Sequence, residues 1–182
     1  MAEPQLRAGR LLVATPLLDD PNFERTVVML IDHDDEGSVG VVLNRPGMVP
    51  VKEVLPAFEL LAASPGVVFG GGPVMPEGIL CVAQADHDTP EFLHLMGGIG
   101  VLGLGSEIPP HGVSQVRLFA GYSGWGAHQL DAEFDAGAWF VLDARPSDAF
   151  TTRPDELWAR VLRRAGGRLA MFATLPEDPR QN

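Results

Sequence analysis

The sequence predicts one α+β domain, rich in strands, with a single strong helix near its carboxyl end. Three observations carry this. Apolar runs with β-branched residues, such as 26–31 and 139–142, recur between clusters of Gly, Pro, Asn and Asp, the pattern of strands bounded by turns. Residues 153–164 combine helical periodicity with matching start and stop signals. The 182 residues, 46% of them apolar, contain no linker and no internal repeat, and a chain of that length buries roughly 70% of its unfolded surface in one core.

Residues 1–7 read as a flexible arm ahead of a domain spanning 8–182. Leu11-Leu12-Val13-Ala14, stopped by Pro16, is a continuous apolar run expected of a buried strand. A second strand at 26–31 and a third at 38–43 flank Asp34-Asp35-Glu36-Gly37, so they form an antiparallel hairpin. Asn44-Arg45-Pro46-Gly47 closes that unit as a loop. Residues 51–61 are a weak, short helix interrupted by Pro56. Val67-Val68-Phe69 runs into Gly70-Gly71-Gly72-Pro73, and 79–83 is the next strand. Residues 86–110 alternate acidic turns with Gly-rich apolar pieces and show no clear element. A strand at 115–120, a tight turn at 121–124, a short helix at 126–134 and a strong strand at 139–142 follow.

The helix at 153–164 is the best defined. Thr152 and Asp155 have capping-box spacing, Pro154 sits in the first turn, and Asp155 and Glu156 meet the positive end of the dipole. Leu157, Trp158, Val161 and Leu162 form its apolar stripe, and Gly166-Gly167 ends it. Such a stripe covers a sheet face.

Lys plus Arg number 13 and Asp plus Glu 24, a net charge of −11, which repels a phosphate backbone; direct nucleic-acid binding is not expected. Arg160, Arg163, Arg164 and Arg168 cluster near a predicted helix end, where cations complement the dipole. Cys81 is the only cysteine, which excludes an intramolecular disulfide and a cysteine-rich zinc site. Within Ile79-Leu80-Cys81-Val82-Ala83 it reads as a small buried hydrophobe. The first ten residues show no leader pattern, and no segment reaches the roughly twenty apolar residues of a membrane span. A cytoplasmic protein without membrane contact is the expectation.

Several motifs invite a chemical reading. Gly121-Tyr122-Ser123-Gly124 begins like a nucleophile elbow, but the fifth position is Trp125, not glycine. The favoured reading is a tight turn that lets Tyr122 and Trp125 pack; a second is that its amides cradle an anion at the start of the following helix. Gly70-Gly71-Gly72-Pro73 lacks the helix and lysine of a phosphate loop, so close backbone approach is favoured. Asp86, His87, Asp88, Glu91 and His94 offer metal-ligating atoms at a spacing that matches no ligand signature, and read as a solvated loop. His33, between Asp32 and Asp34, is either a general base or, preferably, a half-exposed hairpin residue. Arg45, at a strand exit, can clamp a carboxylate bidentately, either a ligand's or the protein's own; an internal pair with Glu133 or Asp131 is favoured.

The order of these blocks resembles one family. Gly9-Arg10-Leu11-Leu12-Val13-Ala14-Thr15-Pro16 leads to Asp19, Phe23 and Arg25-Thr26-Val27-Val28, then to His33, Gly37, Gly40 and Asn44-Arg45-Pro46. Gly71-Gly72-Pro73-Val74 and Gly121-Tyr122-Ser123-Gly124-Trp125 with Gln129-Leu130 and Glu133 complete the set. Nearly the whole chain is thereby similar to the AlgH/YqgE-type family of bacterial proteins. The resemblance implies a mainly antiparallel, partly barrel-like sheet flanked by helices. It brings a label of transcriptional regulator but no established activity, catalytic residue, cofactor or metal. Members commonly carry alanine where this chain has Ser123.

The reading is therefore a regulatory or interaction module that leans away from an enzyme. Its partner is an unidentified protein or small ligand, with His33, Asn44, Arg45, Gly71, Gly72, Tyr122, Trp125, Gln129 and Glu133 as the candidate surface. The alternative is a small-molecule-binding protein or hydrolase-like enzyme with a pocket near Arg45, Tyr122 and Trp125.

Overall fold

In the computed structural model, which describes residues 5–177, a ten-stranded sheet curls around one helix. The elements run β1 (Arg10–Ala14), β2 (Val27–Asp34), β3 (Gly37–Val42), β4 (Pro46–Pro50), α1 (Val51–Val54), β5 (Val67–Gly70), β6 (Val74–Ala85), β7 (Phe92–Met96), β8 (Ile99–Leu102), β9 (Val113–Gly126), α2 (Gln129–Asp135), β10 (Trp139–Asp143), α3 (Pro146–Ala149), α4 (Leu157–Ala165) and α5 (Gly167–Phe172), with 3-10 turns at Pro56–Leu61 and Pro154–Glu156. Residues 1–4 of the expected arm lie outside the described residues; Leu6 packs against the core.

The strand order is β10-β1-β2-β3-β9-β6-β8-β7, antiparallel throughout, while β5 pairs parallel with β9 and antiparallel with β4. β1 and β2 are apolar at every core position because both their faces are covered. Leu11, Val13, Val27 and Met29 pack with Leu157, Trp158, Val161 and Leu162 of α4 inside the curl. Leu12, Ala14, Val28 and Leu30 face the other way, against Trp125, Leu130 and Trp139. A third cluster, with Phe58, Val68, Cys81, Val116 and Leu118, is closed by α1 and the first 3-10 turn. The four large residues of α4 are all buried, each contributing roughly 1.5–3 kcal/mol by removal from water. Trp158 fixes the helix to the sheet, its indole N–H donating to the Ala14 carbonyl at 2.9 Å.

The curl brings the last strand back towards the first. A Cβ on Gly9, which has φ +82°, would lie 3.1 Å from the Leu95 carbonyl of β7. Phe140 of β10 stacks on Phe172 of α5 at 5.6 Å. The result is the antiparallel, partly barrel-like sheet with flanking helices that the resemblance implied.

Five local expectations differ. The loop assigned to Asn44-Arg45-Pro46-Gly47 runs into β4, whose proline ends suit an edge strand. Residues 86–110 contain the β7–β8 hairpin, turned by Gly97 and Gly98, both at positive φ, the conformation that a two-residue hairpin favours. The helix at 153–164 starts as a 3-10 turn without a side-chain cap. Thr151 rather than Thr152 is bonded there, its Oγ accepting from the Arg153 amide at 3.2 Å and the Arg160 guanidinium at 2.7 Å. Arg164 does more than complement a dipole: it forks onto buried Asp148 with two bonds of 2.8 Å.

The last difference concerns the Gly121-Tyr122-Ser123-Gly124 segment, which is strand and not turn. β9 runs unbroken through it, pairing Ser123 with Gly40 and Gly124 with Val39. Gly121, at φ +72°, bends the strand where the pairing with β6 shifts register, as a bulge does.

Candidate functional site

Four of the nine candidate residues gather on the face covered by α2. Glu133 sits at the centre. One carboxylate oxygen accepts from the indoles of Trp125 (3.0 Å) and Trp139 (2.8 Å), and the other from Gln129 (3.0 Å). Phe23 stacks on Trp125 and meets Trp139 edge-on, at 5.9 and 5.6 Å. The Gln129 side-chain oxygen in turn accepts from the Gly126 amide. His33 stands beside this network. Its Nδ1 is 2.7 Å from the Ser38 hydroxyl, and its Nε2 is 4.0 Å from Asp131 of α2. Ser38 is buried and paired in register with both His33 and Trp125, so the imidazole bridges β2 and β3 and stands beside α2. These groups orient one another and hold α2 on the sheet.

Gly71, Gly72 and Tyr122 lie at a backbone crossing. Gly71 donates to the Ala120 carbonyl and accepts from the Val42 amide, both at 2.9 Å. Its carbonyl also takes the buried Ser123 hydroxyl at 3.1 Å, which makes Ser123 an internal donor. Within the segment offered as an anion cradle, Tyr122 pairs with β6 and Ser123 and Gly124 with β3. A Cβ on Gly72 would fall 2.3 Å from Tyr122 backbone atoms. Gly72→Ala should therefore cost about 1–3 kcal/mol through backbone displacement, measured as a lower urea midpoint; an unchanged midpoint would show that the crossing is loose.

Cys81 is buried, and desolvation pushes its thiol from 9.0 up to about 12. Between these values the unfolded chain loses this proton and the folded one keeps it, so the thiol's contribution to stability, complete below pH 9, is lost as pH rises towards about 12. At pH 8 the native protein should resist iodoacetamide while the urea-unfolded chain alkylates freely. Equal labelling of the two by mass spectrometry would contradict the burial. Among the described residues no group of three His, Cys, Asp or Glu side chains is placed to hold a metal, and none of the helices is long and apolar enough to cross a membrane.

Asn44 and Arg45 lie elsewhere, in a groove between α4 and the loops around Thr15 and Arg25. Arg45 does not reach Glu133 or Asp131; its Nη2 donates to the Glu24 carbonyl at 2.6 Å. The expected internal ion pair fails because Glu133 is bonded to two indoles on the α2 face. Asn44 clamps the neighbouring loop. Its Oδ1 accepts from the Val27 amide (3.0 Å), and its Nδ2 donates to the Arg25 carbonyl (2.9 Å). Arg25, at φ +54°, is a non-glycine residue in the left-handed region, a conformation that costs of order 1–3 kcal/mol and needs such a clamp. Its guanidinium lies 4.1 Å over the Trp158 ring and donates to the Leu175 carbonyl at 3.2 Å.

Two adjoining cavities form the groove. One, of about 360 Å³, is lined by Asn44, Arg45, Arg25, Glu24, Asp155 and Trp158 among others. The second, of about 380 Å³, shares Glu24, Arg25 and Trp158 and extends past Thr15, Pro16, Leu18 and Leu175. Thr15, Asp19, Arg25 and Trp158 were not among the expected site residues. The signal for three of them was present, since Thr15, Asp19 and Arg25 belong to the same run of blocks as Asn44-Arg45. The nine candidates thus fall into an α2 network, a glycine crossing and the edge of this groove, not into one pocket.

Comparison with known proteins agrees with this architecture. A family model described as AlgH-like matches residues 11–170. A UPF0301 protein of Streptomyces coelicolor is 48% identical over 192 residues, covering 100% of this chain and 98% of its own, and one from Thermobifida fusca is 47% identical over 189 residues, covering 96% and 94%. The crystal structure of a Corynebacterium diphtheriae protein superposes with a TM-score of 0.88 at 30% identity, covering 96% of this chain and 95% of that one. The solution structure of the AlgH protein from Pseudomonas aeruginosa gives 0.69 at 26% identity, with 93% and 94% covered. With a family match across most of its length and close relatives over nearly all of it, the chain belongs to the AlgH-like family.

Proposed function

We propose that this protein is a non-catalytic interaction module of the bacterial cytoplasm that binds a partner in the Arg25–Arg45 groove, and that any effect on transcription is indirect. The observation that carries the reading is the convergence of Thr15, Asp19, Arg25, Asn44 and Arg45, from separate blocks of the sequence, on one open groove. The side chains that could do covalent chemistry support it as well. The Ser123 hydroxyl is buried and bonded to a carbonyl, and the Cys81 thiol is buried and held protonated. The −11 net charge weighs against duplex DNA as the direct partner.

The test is affinity capture from a nuclease-treated lysate of the source bacterium, comparing the native protein with a folded Arg45→Ala variant. A stoichiometric partner lost in the variant is the expected result. Capture that ignores the substitution, or tight binding of the purified protein to duplex DNA at physiological salt, would overturn it. A second reading, a small-molecule-binding protein, draws on the size of the two cavities, each about 360–380 Å³ and so within the usual range for ligand pockets.

A further inference from the structure

Resting on the interaction-module reading, we propose that the groove recognises a peptide segment of a partner protein that carries one acidic residue beside an apolar one. One carboxylate is taken between the guanidiniums of Arg25 and Arg45, and an adjacent apolar side chain lies in the compartment beside Leu18.

The unused donors of the two arginines carry the argument. Arg10, Arg153 and Arg164 each pair with a carboxylate, whereas among the described residues Arg25 and Arg45 form no salt bridge although both line one cavity. Each makes a single hydrogen bond to a backbone carbonyl. A guanidinium has five N–H donors arranged to fork onto a carboxylate, so both retain donors for a ligand. The pair is also held in place before any ligand arrives. The Asn44 side chain fixes the backbone at the Arg25 carbonyl and the Val27 amide, the Trp158 ring supports the Arg25 guanidinium, and Arg45 follows directly after Asn44 in the chain. Prior ordering of this kind lowers the entropy lost on binding.

The surrounding groups narrow the ligand. Glu24, Asp155 and Glu177 line the same cavity as the two arginines. A polyphosphate or nucleic-acid strand would place several negative charges against them, whereas a single carboxylate meets the arginines alone. The neighbouring compartment is walled by Pro16, Leu18, Trp158 and Leu175 and shares Arg25 with the first. An acidic residue next to an apolar one, as in a peptide, fills both.

The experiment selects binders to the full-length protein from a display library of random peptides. Affinities of the enriched peptides are then measured by fluorescence anisotropy. The expected result is enrichment of Asp or Glu beside an apolar residue. Affinity should fall about tenfold or more when the peptide's acid becomes its amide or when Arg45→Ala is introduced, with partial retention in Arg45→Lys, the range of a lost charge-assisted bidentate pair. Arg45 is exposed, so this variant is expected to fold even where Arg25→Ala does not. Met48→Ala, on the exposed edge strand, should bind like the native protein. Peptides selected without an acidic preference, or bound equally by Arg45→Ala, would overturn the proposal, as would displacement of every selected peptide by free succinate alone at equal concentration. If lysate capture still finds a partner that depends on Arg45, only the acidic-peptide assignment fails; if it finds none, the interaction reading fails with it.

Discussion

Arg117→Ala is expected to destabilise the protein by about 3–5 kcal/mol, the combined effect of buried carbonyls left without donors and of the cavity the side chain vacates. Arg117 is 1% exposed, yet among the described residues no carboxylate is bonded to it. Its guanidinium instead donates to four backbone carbonyls, those of Ala63, Ser64, Ala149 and Thr151, at 2.7–3.3 Å, and stacks 4.2 Å over Phe69. Burial lowers its pKa to about 10, which still leaves it charged at neutral pH. The residue therefore joins β9 to the loop before β5 and to the end of α3. Truncation leaves these carbonyls unsatisfied and opens a cavity beside Phe69. Arg117→Lys should recover only part of the loss, because a compact ammonium does not span two pairs of carbonyls. Urea titration gives the free energy, and the thermal midpoint should fall by roughly 10 °C for a chain of this size. A loss below about 0.5 kcal/mol, the level of an ordinary surface substitution, would mean that solvent replaces the bonds without cost.

The second large effect is expected at Glu133. Glu133→Ala removes one acceptor from two indole N–H groups and a third bond from Gln129. Bonds to a charged group contribute about 1.5–3 kcal/mol each when isolated, but these share one partly buried carboxylate, so a total near 3 kcal/mol is expected. Near-UV circular dichroism should weaken at the same time, because Phe23, Trp125 and Trp139 form one aromatic cluster. Glu133→Gln keeps the oxygen that faces the indoles but turns an amide N–H₂ towards the Gln129 N–H₂. It should lose about half as much. An unchanged near-UV spectrum in Glu133→Ala would show that ring packing alone orders the cluster.

The two sites differ in how far they could be read from the sequence. Glu133 lies 8 residues from Trp125 and 6 from Trp139, so its partners were close at hand in the chain. Arg45 was assigned to it because opposite charges attract, but two indoles at short range hold the carboxylate on the α2 face. Arg117 gave no signal at all. Its carbonyl partners lie 32 to 54 residues away, and backbone acceptors leave no trace in side-chain composition. The glycines of 121–124 misled for a different reason. Positive φ at Gly121 suits a bulge as well as a turn, and only the pairing of β9 with β3 and β6 distinguishes them. Gly97-Gly98 between apolar residues was a legible hairpin signal in a stretch otherwise read as formless.

What the sequence by itself determined are the features encoded locally. Strands β1, β2, β3 and β10, the hairpin between β2 and β3, the helix α4 and the burial of Cys81 follow from periodicity and turn chemistry within short windows. The family followed from the order of several such blocks. Only the tertiary structure decided which blocks meet: Arg45 with Arg25 and Trp158 in a groove, His33 with Ser38 and Asp131, Gly72 against Tyr122. The reason is register. Neighbours across a curled sheet are set by how distant strands align, and a slip of one residue carries every side chain to the opposite face.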